Sequence, residues 1–175
     1  MEQAQYSVLF ISDKAMKEIT VSTKIKVYES AKELPDEYRT LLDSARAAVN
    51  QAYAPYSNFR VGAAVLLGNG SVVQGANQEN AAYSMCICAE RTALGNATMQ
   101  HPGVAVAAIA VTVQSDKKAI TQPASPCGAC RQVISEMEDR QRKNMVVILQ
   151  GSEGEVYLLD SGKALLPIGF HGGFL

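Results

Sequence analysis

Apolar residues cluster along the chain in segments of different spacing, and the spacing predicts the type of each element. Five short runs rich in aliphatic residues predict β-strands, at residues 61–67, 71–76, 104–113, 145–150 and 155–159. The first two are joined by the tripeptide GNG, which favours a hairpin turn. The third, VAVAAIAVTV, is almost uninterruptedly apolar, as expected of a strand that is buried on both faces of a sheet.

Three other segments show the spacing of amphipathic helices. In the first, a turn at residues 35–37 precedes apolar residues three or four positions apart, and Pro55 ends the run. The other two helices are predicted over about residues 88–100 and about residues 127–140. The order strand, strand, helix, strand, helix, strand predicts an α/β protein, a three-layer α/β/α sandwich around a central mixed sheet.

The first thirty residues precede this pattern. Residues 1–15 have no strong periodicity, whereas apolar and polar residues alternate over positions 19–27, which indicates an edge strand or an arm. We therefore divide the chain into an N-terminal extension, residues 1–30, and one domain, residues 31–175. Met16 is a second candidate start of translation.

Charge and hydropathy exclude several classes of protein. The 175 residues include 16 Lys and Arg against 17 Asp and Glu, so no basic surface for nucleic acids or anionic membranes is expected. No apolar run approaches the roughly 18–20 residues that span a bilayer, and the N-terminus lacks the pattern of a signal peptide. We therefore predict a cytoplasmic protein with neither nucleic acid nor membrane as a partner, in a compartment where thiols stay reduced.

The candidate chemistry is concentrated around the cysteines. Cys127 and Cys130 lie in PCGACRQ where a loop enters a predicted helix, and Cys88 begins another helix in CAE. Locally, such a pair is compatible with a disulfide, a redox pair, a structural zinc site or a catalytic zinc site. Residues i and i+3 share a helix face, and helix N-termini favour thiolates. Three thiolates would leave the fourth position of a tetrahedral Zn²⁺ ion for water, which is typical of a catalytic site.

Other titratable residues near these motifs receive different interpretations. Cys86 precedes Cys88 by two positions on a predicted approach strand or loop, and we expect a buried structural thiol. His101 and His171 lie beside Pro or Gly in predicted loops, where a solvated or capping role is expected. Glu90 follows Cys88 by two positions, where a carboxylate can move a proton between a metal-activated water and a substrate nitrogen. Taken alone, it would equally suit the first turn of a helix.

Four segments in order, NFRVGAAV, GANQENAAYS, CAERTAL and SPCGACRQV, closely resemble the cytidine deaminase family over roughly residues 36–170. The first metal motif is CAE in place of the His-x-Glu of the wider class. The resemblance is therefore to the small deaminases with three cysteines, and it implies a cytidine deaminase-like catalytic domain over residues 31–175.

By this resemblance, Cys88, Cys127 and Cys130 hold a zinc ion and Glu90 is the proton shuttle. The implied reaction is hydrolytic deamination of cytidine and 2′-deoxycytidine, with release of ammonia, as in pyrimidine salvage. Activated water attacks C4 of the pyrimidine while Glu90 protonates N3 and then the leaving ammonia. The partner of such an enzyme is a small nucleoside.

The resemblance also assigns substrate contacts, at Phe59, Asn77, Glu79, Tyr83, Ala89 and Phe170. Asn77 and Glu79 would bind ribose hydroxyls from the same side of an extended segment. Phe59 would pack against the base, and the backbone around Ala89 would contact the edge of the pyrimidine. Tyr83 and Phe170 match residues that reach into a neighbouring subunit, which implies a homotetramer with shared active sites. The tail HGGFL departs from the family's usual acidic ending.

The resemblance assigns two polar residues, Arg91 and Gln132, to the surroundings of the metal. Arg91 matches an arginine that hydrogen-bonds the cysteine sulfurs and so offsets the charge of three thiolates. Gln132 would assist more weakly. Arg131 is expected to be a surface or interface charge.

Other functions remain open at this point. A deaminase of modified cytosine nucleosides, of the antibiotic type, is disfavoured by the ribose anchors in NQEN. A zinc-stabilised binding module without catalysis would need four protein ligands. Editing of single-stranded nucleic acid would need a basic channel and stacking aromatics, and the chain has no tryptophan and no excess of basic residues.

Overall fold

The computed structural model describes residues 17–175, and in it the predicted strands form one mixed sheet. The strands are β1 (Lys26–Tyr28), β2 (Phe59–Leu67), β3 (Val72–Ala76), β4 (Val106–Ser115), β5 (Val146–Gln150) and β6 (Val156–Leu159). Their spatial order is β1-β6-β5-β4-β2-β3. The strands β4 and β5 run parallel, and the other neighbours run antiparallel. The prediction of a mixed sheet is confirmed.

Three helices flank this sheet: α1 (Asp36–Ala48), α2 (Ala89–Gln100) and α3 (Gly128–Gln141). The helix α1 ends earlier than its apolar pattern suggests, because the chain tightens into a 3-10 turn over Val49–Gln51. Among residues 17–175, no helix is long and apolar enough to span a bilayer.

Alternation along β2 divides the core into two halves. Ala63 and Val65 pack with α2 and α3 on one face of the sheet, whereas Ala64 and Leu66 pack with α1 on the other. Successive strand residues point to opposite faces, so an uninterrupted apolar run supplies both halves. This arrangement is the predicted three-layer sandwich, and burial of each large aliphatic side chain contributes about 1.5–3 kcal/mol to it.

Two glycines set the distance between the sheet and its helices. A Cβ on Gly62 would lie 2.1 Å from the carbonyl oxygen of Ala45 in α1. A Cβ on Gly75 would lie 2.3 Å from the nitrogen of Ala93 and 2.7 Å from the oxygen of Ala89 in α2. Real Cβ atoms do not approach backbone so closely. Because Gly75 has no side chain, the first turn of α2 packs directly against β3.

The N-terminal segment contributes less regular structure than its pattern suggests. The strand β1 lies at the sheet edge, paired with β6, but it has three residues, and Ile19 and Val21 precede it as exposed coil. The hydroxyl of Thr23 donates to the carbonyl of Ala164 at 2.8 Å, which ties this coil to the C-terminal part of the chain. The interpretations of residues 1–15 and of Met16 lie outside the described residues.

Candidate metal centre and active site

Two helix N-termini bring three cysteines together. Cys88 and Cys127 are the extended residues immediately before α2 and α3, and Cys130 is buried in the first turn of α3. The sulfur of Cys127 lies 3.8 Å from that of Cys88 and 3.5 Å from that of Cys130. All three sulfurs lie within 4.8 Å of one another. The structure thus places the three predicted ligands in one cluster.

The cluster fits a tetrahedral zinc ion. Two Zn–S bonds of about 2.3 Å at a tetrahedral angle hold their sulfurs about 3.8 Å apart. The 3.5 Å and 3.8 Å separations match that spacing and far exceed a disulfide bond of about 2.05 Å. Within residues 17–175, the group of possible ligands comprises these three cysteines and no fourth residue. A metal held here would keep a position for water or substrate.

Contacts within the cluster give its thiols different pKa values. A hydrogen bond from Cys130, together with Arg91, lowers the pKa of Cys88 to about 5. The same contact, together with burial, raises the pKa of Cys130 well above its ordinary value. A guanidinium nitrogen of Arg91 lies 4.0 Å from the sulfur of Cys88 and donates to the carbonyl of Cys86 at 3.0 Å. Arg91 therefore lies beside the sulfurs, where the family resemblance puts it.

Glu90 lies in the first turn of α2 and is 4% exposed. Its side chain lines the same cavity as Cys88 and Cys127. Loss of hydration raises the pKa of Glu90, and the negative charge of Cys88 adds to the effect. A carboxyl group with a raised pKa can both accept and return a proton near neutral pH. This is the property that general acid–base catalysis requires.

The cavity beside the cluster has a volume of about 280 Å³. Its apolar lining includes Val61, Ile87 and Val111, and its polar lining includes Asn77 and Glu79. Small-molecule sites are mostly apolar, with a few placed polar groups, and occupy about 300–1,000 Å³. The cavity therefore suits a compact ligand that carries an apolar part and a few polar groups.

The two predicted ribose anchors are held by hydrogen bonds at this cavity. The side-chain oxygen of Asn77 accepts from the N–H of Val61 at 2.8 Å, and its nitrogen donates to the carbonyl of Phe59 at 3.0 Å. Glu79 accepts from the hydroxyl of Ser57 at 2.5 Å and from the N–H of Tyr56 at 2.9 Å. The hydrogen bond from Ser57 is the main reason that the pKa of Glu79 is lowered. Glu79 is therefore a carboxylate, a group that can accept hydrogen bonds from a ligand.

The remaining predicted contacts divide between the cavity and the outside. Phe59 and Tyr83 line the cavity and are 37% and 78% exposed. Ala89 is fully buried and begins α2, so its backbone would have to provide any contact. Phe170 is 58% exposed and stacks on Phe174, with 5.6 Å between the ring centres. Phe170 does not belong to the cavity lining of the single described chain.

Gln132 contacts the C-terminal tail. Its side-chain nitrogen donates to the carbonyl of Phe170 at 2.9 Å. Among the hydrogen bonds of the described residues, none joins Gln132 to a sulfur of the cluster. Phe170 lies between two 3-10 turns, Gly162–Leu165 and Gly172–Phe174, and Gln132 follows the ligand Cys130 by two positions in α3.

Arg131, expected to be a surface or interface charge, is half-buried and makes hydrogen bonds within the chain. Its guanidinium donates to the carbonyl of Pro126 at 2.8 Å and to the carbonyl of Leu165 at 3.2 Å. Arg131 thereby fixes the turn that presents Cys127 and ties it to the C-terminal segment. An arginine in a helix gives no sequence signal of such a role, because the partner at Leu165 is 34 positions away.

Cys86 is half-buried and lines the cavity, so the predicted full burial is wrong. As predicted, Cys86 is not in the group of possible metal ligands among residues 17–175. Its sulfur accepts from the N–H of Asn80 at 3.2 Å. Residues two positions apart in an extended segment point to the same side, so Cys86 faces the cavity together with Cys88. A capping role is confirmed for His171, whose ring nitrogen accepts from the N–H of Gly173.

Comparisons with known proteins agree with this geometry. A profile of the cytidine and deoxycytidylate deaminase zinc-binding region matches residues 35–148. A cytidine deaminase of Halalkalibacterium halodurans is 43% identical over 130 residues, which cover 74% of this chain and 91% of that protein. A cytidine deaminase of Sporosarcina psychrophila is 43% identical over 131 residues, which cover 74% of this chain and 88% of that protein.

Solved structures lead to the same group of proteins. The crystal structure of cytidine deaminase from Burkholderia pseudomallei is 44% identical, with a TM-score of 0.66, over 76% of this chain and 98% of that one. The crystal structure of cytidine deaminase from Mycobacterium tuberculosis is 29% identical, with a TM-score of 0.57, over 76% of this chain and 96% of that one. Nearly the whole of each relative thus corresponds to about three quarters of this chain.

Proposed function

Because the chain belongs to the cytidine and deoxycytidylate deaminase family, we propose that its cavity deaminates cytidine and 2′-deoxycytidine by hydrolysis. The observation that carries the proposal is the buried carboxyl of Glu90, which lines one cavity with Cys88 and Cys127. In the reaction, the bond from C4 of the pyrimidine to its amino nitrogen breaks, a bond from C4 to a water oxygen forms, and ammonia leaves. Uridine or 2′-deoxyuridine remains, which is a product of pyrimidine salvage.

Cys88, Cys127 and Cys130 would hold the zinc ion, since their sulfurs have the separations of zinc ligands. When bound, zinc supplies water of lowered pKa, about 7 in well-known sites. Three thiolates leave such a centre with a net negative charge, and the neighbouring guanidinium of Arg91 offsets part of it.

Glu90 moves the protons of the reaction. Its carboxylate takes one proton from the attacking water and gives it to N3 of the pyrimidine ring. It then takes the second proton from the new hydroxyl on C4 and gives it to the departing amino group, which leaves as ammonia. Burial supports this cycle because it brings the two protonation states of Glu90 closer in free energy at neutral pH. No net proton is gained or lost by the protein.

The rest of the cavity orients the nucleoside. Glu79 accepts hydrogen bonds from the ribose hydroxyls, and Asn77 can both accept and donate them. Phe59 packs against the base. Asn77 is held by the backbone of Phe59 and Val61, and it retains one N–H and one lone pair for a ligand. The backbone at Ala89 contacts the edge of the pyrimidine.

The experiment that tests this function compares cytidine turnover by the wild type and Glu90→Gln at equal zinc content. We expect kcat of Glu90→Gln to fall by at least about 10²–10⁴, the usual contribution of general acid–base catalysis. Conversion to uridine is followed by its ultraviolet absorbance change. Glu136→Gln makes the same chemical change on an exposed position of α3 and should leave kcat unaltered.

Two outcomes would contradict the proposal. Full activity of zinc-loaded Glu90→Gln would remove the proton shuttle from this residue. A zinc-loaded wild type that ignores both cytidine and 2′-deoxycytidine would show that the substrate is another cytosine nucleoside.

Assembly and organisation complete the proposal. We propose a homotetramer with shared active sites, formed by residues 31–175 as the catalytic domain, with residues 1–30 as an extension. Tyr83 lines the cavity and is 78% exposed, and Met85, two positions later, is 61% exposed. Large exposed apolar groups of this kind are typical of an interface. A reducing cytoplasm suits the cluster, since zinc binding requires unpaired thiols.

A further inference from the structure

A short turn before β2 connects two of the proposed substrate contacts. The hydroxyl of Ser57 donates to one carboxylate oxygen of Glu79 at 2.5 Å and accepts from the N–H of Phe59 at 3.0 Å. The same oxygen atom therefore contacts the side chain proposed to hold the ribose and the backbone of the residue proposed to pack on the base.

The turn has an unusual conformation at its centre. Asn58 has a φ of 56°, in the left-handed region that residues other than glycine adopt rarely. Its N–H donates to the carbonyl of Ala54 at 3.1 Å. The hydroxyl of Ser57 spans this residue and bonds to the next N–H. The contact with Ser57 thus stabilises the direction in which Phe59 enters the strand.

The turn also limits how Glu79 can be used. An ionised carboxylate has about four sites for hydrogen-bond donors. Three donors of the turn bond to Glu79: the hydroxyl of Ser57 at 2.5 Å, the N–H of Tyr56 at 2.9 Å and the N–H of Ser57 at 3.3 Å. About one site remains for a ligand hydroxyl. The turn therefore determines which acceptor site of the Glu79 carboxylate remains for a ligand.

We propose that Ser57 is a positioning residue of the deamination reaction, whose hydroxyl orients Glu79 toward a ribose hydroxyl and sets the position of Phe59. It does not contact the reacting atoms. The proposal rests on the proposed function, because the ribose and the base are the ligands of these two residues.

A purely structural role explains the geometry less well. Ser57 is exposed, and Glu79 and Phe59 are at least partly exposed in the described chain. A hydrogen bond between exposed groups contributes little to the free energy of folding. The orientation of a charged acceptor, in contrast, acts directly on the affinity for a substrate hydroxyl.

The test measures KM and kcat of Ser57→Ala with cytidine and with 2′,3′-dideoxycytidine, which lacks both hydroxyls available to Glu79. For cytidine we expect KM to rise about tenfold, the loss of one charge-assisted hydrogen bond, with kcat changed less than about threefold. For 2′,3′-dideoxycytidine, kcat/KM should change less than about twofold, because that substrate does not use the oriented carboxylate. Ser57→Thr keeps the hydroxyl and should restore most of the affinity for cytidine.

Ser161→Ala is a matched control. Its hydroxyl donates to the carboxylate of Glu138 at 2.8 Å and accepts from the N–H of Lys163 at 3.2 Å. This substitution deletes the same two types of contact outside the residues that line the cavity. It should lower the melting temperature while leaving the ratio of kcat/KM between the two substrates unchanged.

A second measurement keeps the proposal testable without turnover. In Ser57→Ala, the pKa of Glu79 should rise toward its ordinary value because its main stabilising hydrogen bond is lost. A carboxyl-carbon NMR titration of Glu79 would detect the change, and an unchanged pKa would contradict the contact.

The kinetic outcomes separate the two proposals. An equal loss of kcat/KM on both substrates, or no loss on cytidine, would overturn the positioning role while the deaminase function stands. A zinc-loaded wild type without cytidine turnover would overturn the deaminase function. In that case, the affinity for uridine, measured by calorimetry, tests the positioning role of Ser57 without turnover. Equal affinity of the wild type and Ser57→Ala for uridine would overturn that role as well.

Discussion

At the scale of single residues, the protonation of the cysteine cluster links metal binding to pH. Cys88 has a pKa lowered to about 5, mainly by the hydrogen bond from Cys130 and then by Arg91. The pKa of Cys130 is raised by the same bond and by burial. At pH 7 and without metal, Cys88 is therefore a thiolate and Cys130 is a thiol. Zinc must displace the proton of Cys130 because thiolates are its ligands.

We predict that zinc binding to the metal-free protein releases at least one proton per ion at pH 7, and that the affinity falls as the pH falls. The fall steepens as the pH approaches about 5, where Cys88 also gains a proton. Calorimetry in buffers of different ionisation enthalpy measures the released protons. Release of none at pH 7 would contradict the assigned protonation of Cys130.

Cys86→Ser is the control for this experiment. Cys86 lines the cavity but does not belong to the cluster of ligands. We expect its substitution to leave one zinc per chain and the proton release unchanged. Loss of a residue that hydrogen-bonds a metal ligand typically lowers the metal affinity about 10–100-fold. Cys130→Ser removes a ligand itself, so we expect a larger loss of zinc affinity.

At the scale of elements, the metal centre depends on how closely α2 packs on β3. Cys88 and Glu90 flank the start of α2, and the positive end of a helix stabilises a thiolate there. Gly75 allows this helix start to approach the sheet, since any side chain would meet the backbone of Ala89 and Ala93. The packing of one helix thus sets the position of a ligand and of the proposed proton carrier.

We predict that Gly75→Ala lowers both the stability and the zinc affinity. The added methyl group must push α2 outward, and overpacking of this kind costs about 1–3 kcal/mol. Displacement of α2 carries Cys88 away from Cys127, so the zinc affinity should fall about tenfold or more, as for loss of a residue that supports a ligand. Thermal unfolding and competition with a metal chelator measure the two effects.

Gly62→Ala provides the comparison, because its methyl group would meet α1 on the opposite face of the sheet. A similar loss of stability is expected there without a loss of zinc affinity. If both variants bind zinc like the wild type, the packing of α2 does not control the centre.

At the scale of the whole molecule, the cavity lies beside an exposed apolar surface. The rings of Tyr56 and Tyr83 lie 6.5 Å apart at the cavity, and both side chains are largely exposed. Phe170 is exposed on the C-terminal tail and lies outside the cavity lining. In an assembly with shared sites, the ring of Phe170 would contact the cavity of a neighbouring subunit.

We predict a tetramer in solution, about four times the 18.7 kDa of the chain. Mixed assemblies give a sharper result than size alone. Glu90→Gln and Phe170→Ala should each be impaired, and refolding them together should restore activity at sites that combine an intact Glu90 with an intact Phe170. Light scattering measures the mass, and cytidine turnover measures the complementation. A fully active monomer, or a mixture no better than its parts, would contradict shared sites.

The sequence by itself determined the features that depend on local spacing. The apolar runs predicted the first and last residues of β2, β4 and β5 to within two positions. This is possible because a strand buried on both faces needs an uninterrupted apolar segment. The motifs CAE and PCGAC identified the three sulfurs that the structure brings together. The helix starts predicted at both motifs favour that convergence, since residues at a helix start and one turn later face the same side.

Tertiary structure alone decided the contacts between residues that are distant in sequence. Ser57 meets Glu79 across 22 positions, and Arg131 meets Leu165 across 34. The partial exposure of Cys86 and the shortness of β1 also depended on how separate segments pack. A local pattern records which face of an element is apolar, but it does not record which distant donor meets which acceptor. Those pairings follow from the assembled sheet, where the chain's ends and turns are brought within hydrogen-bonding distance.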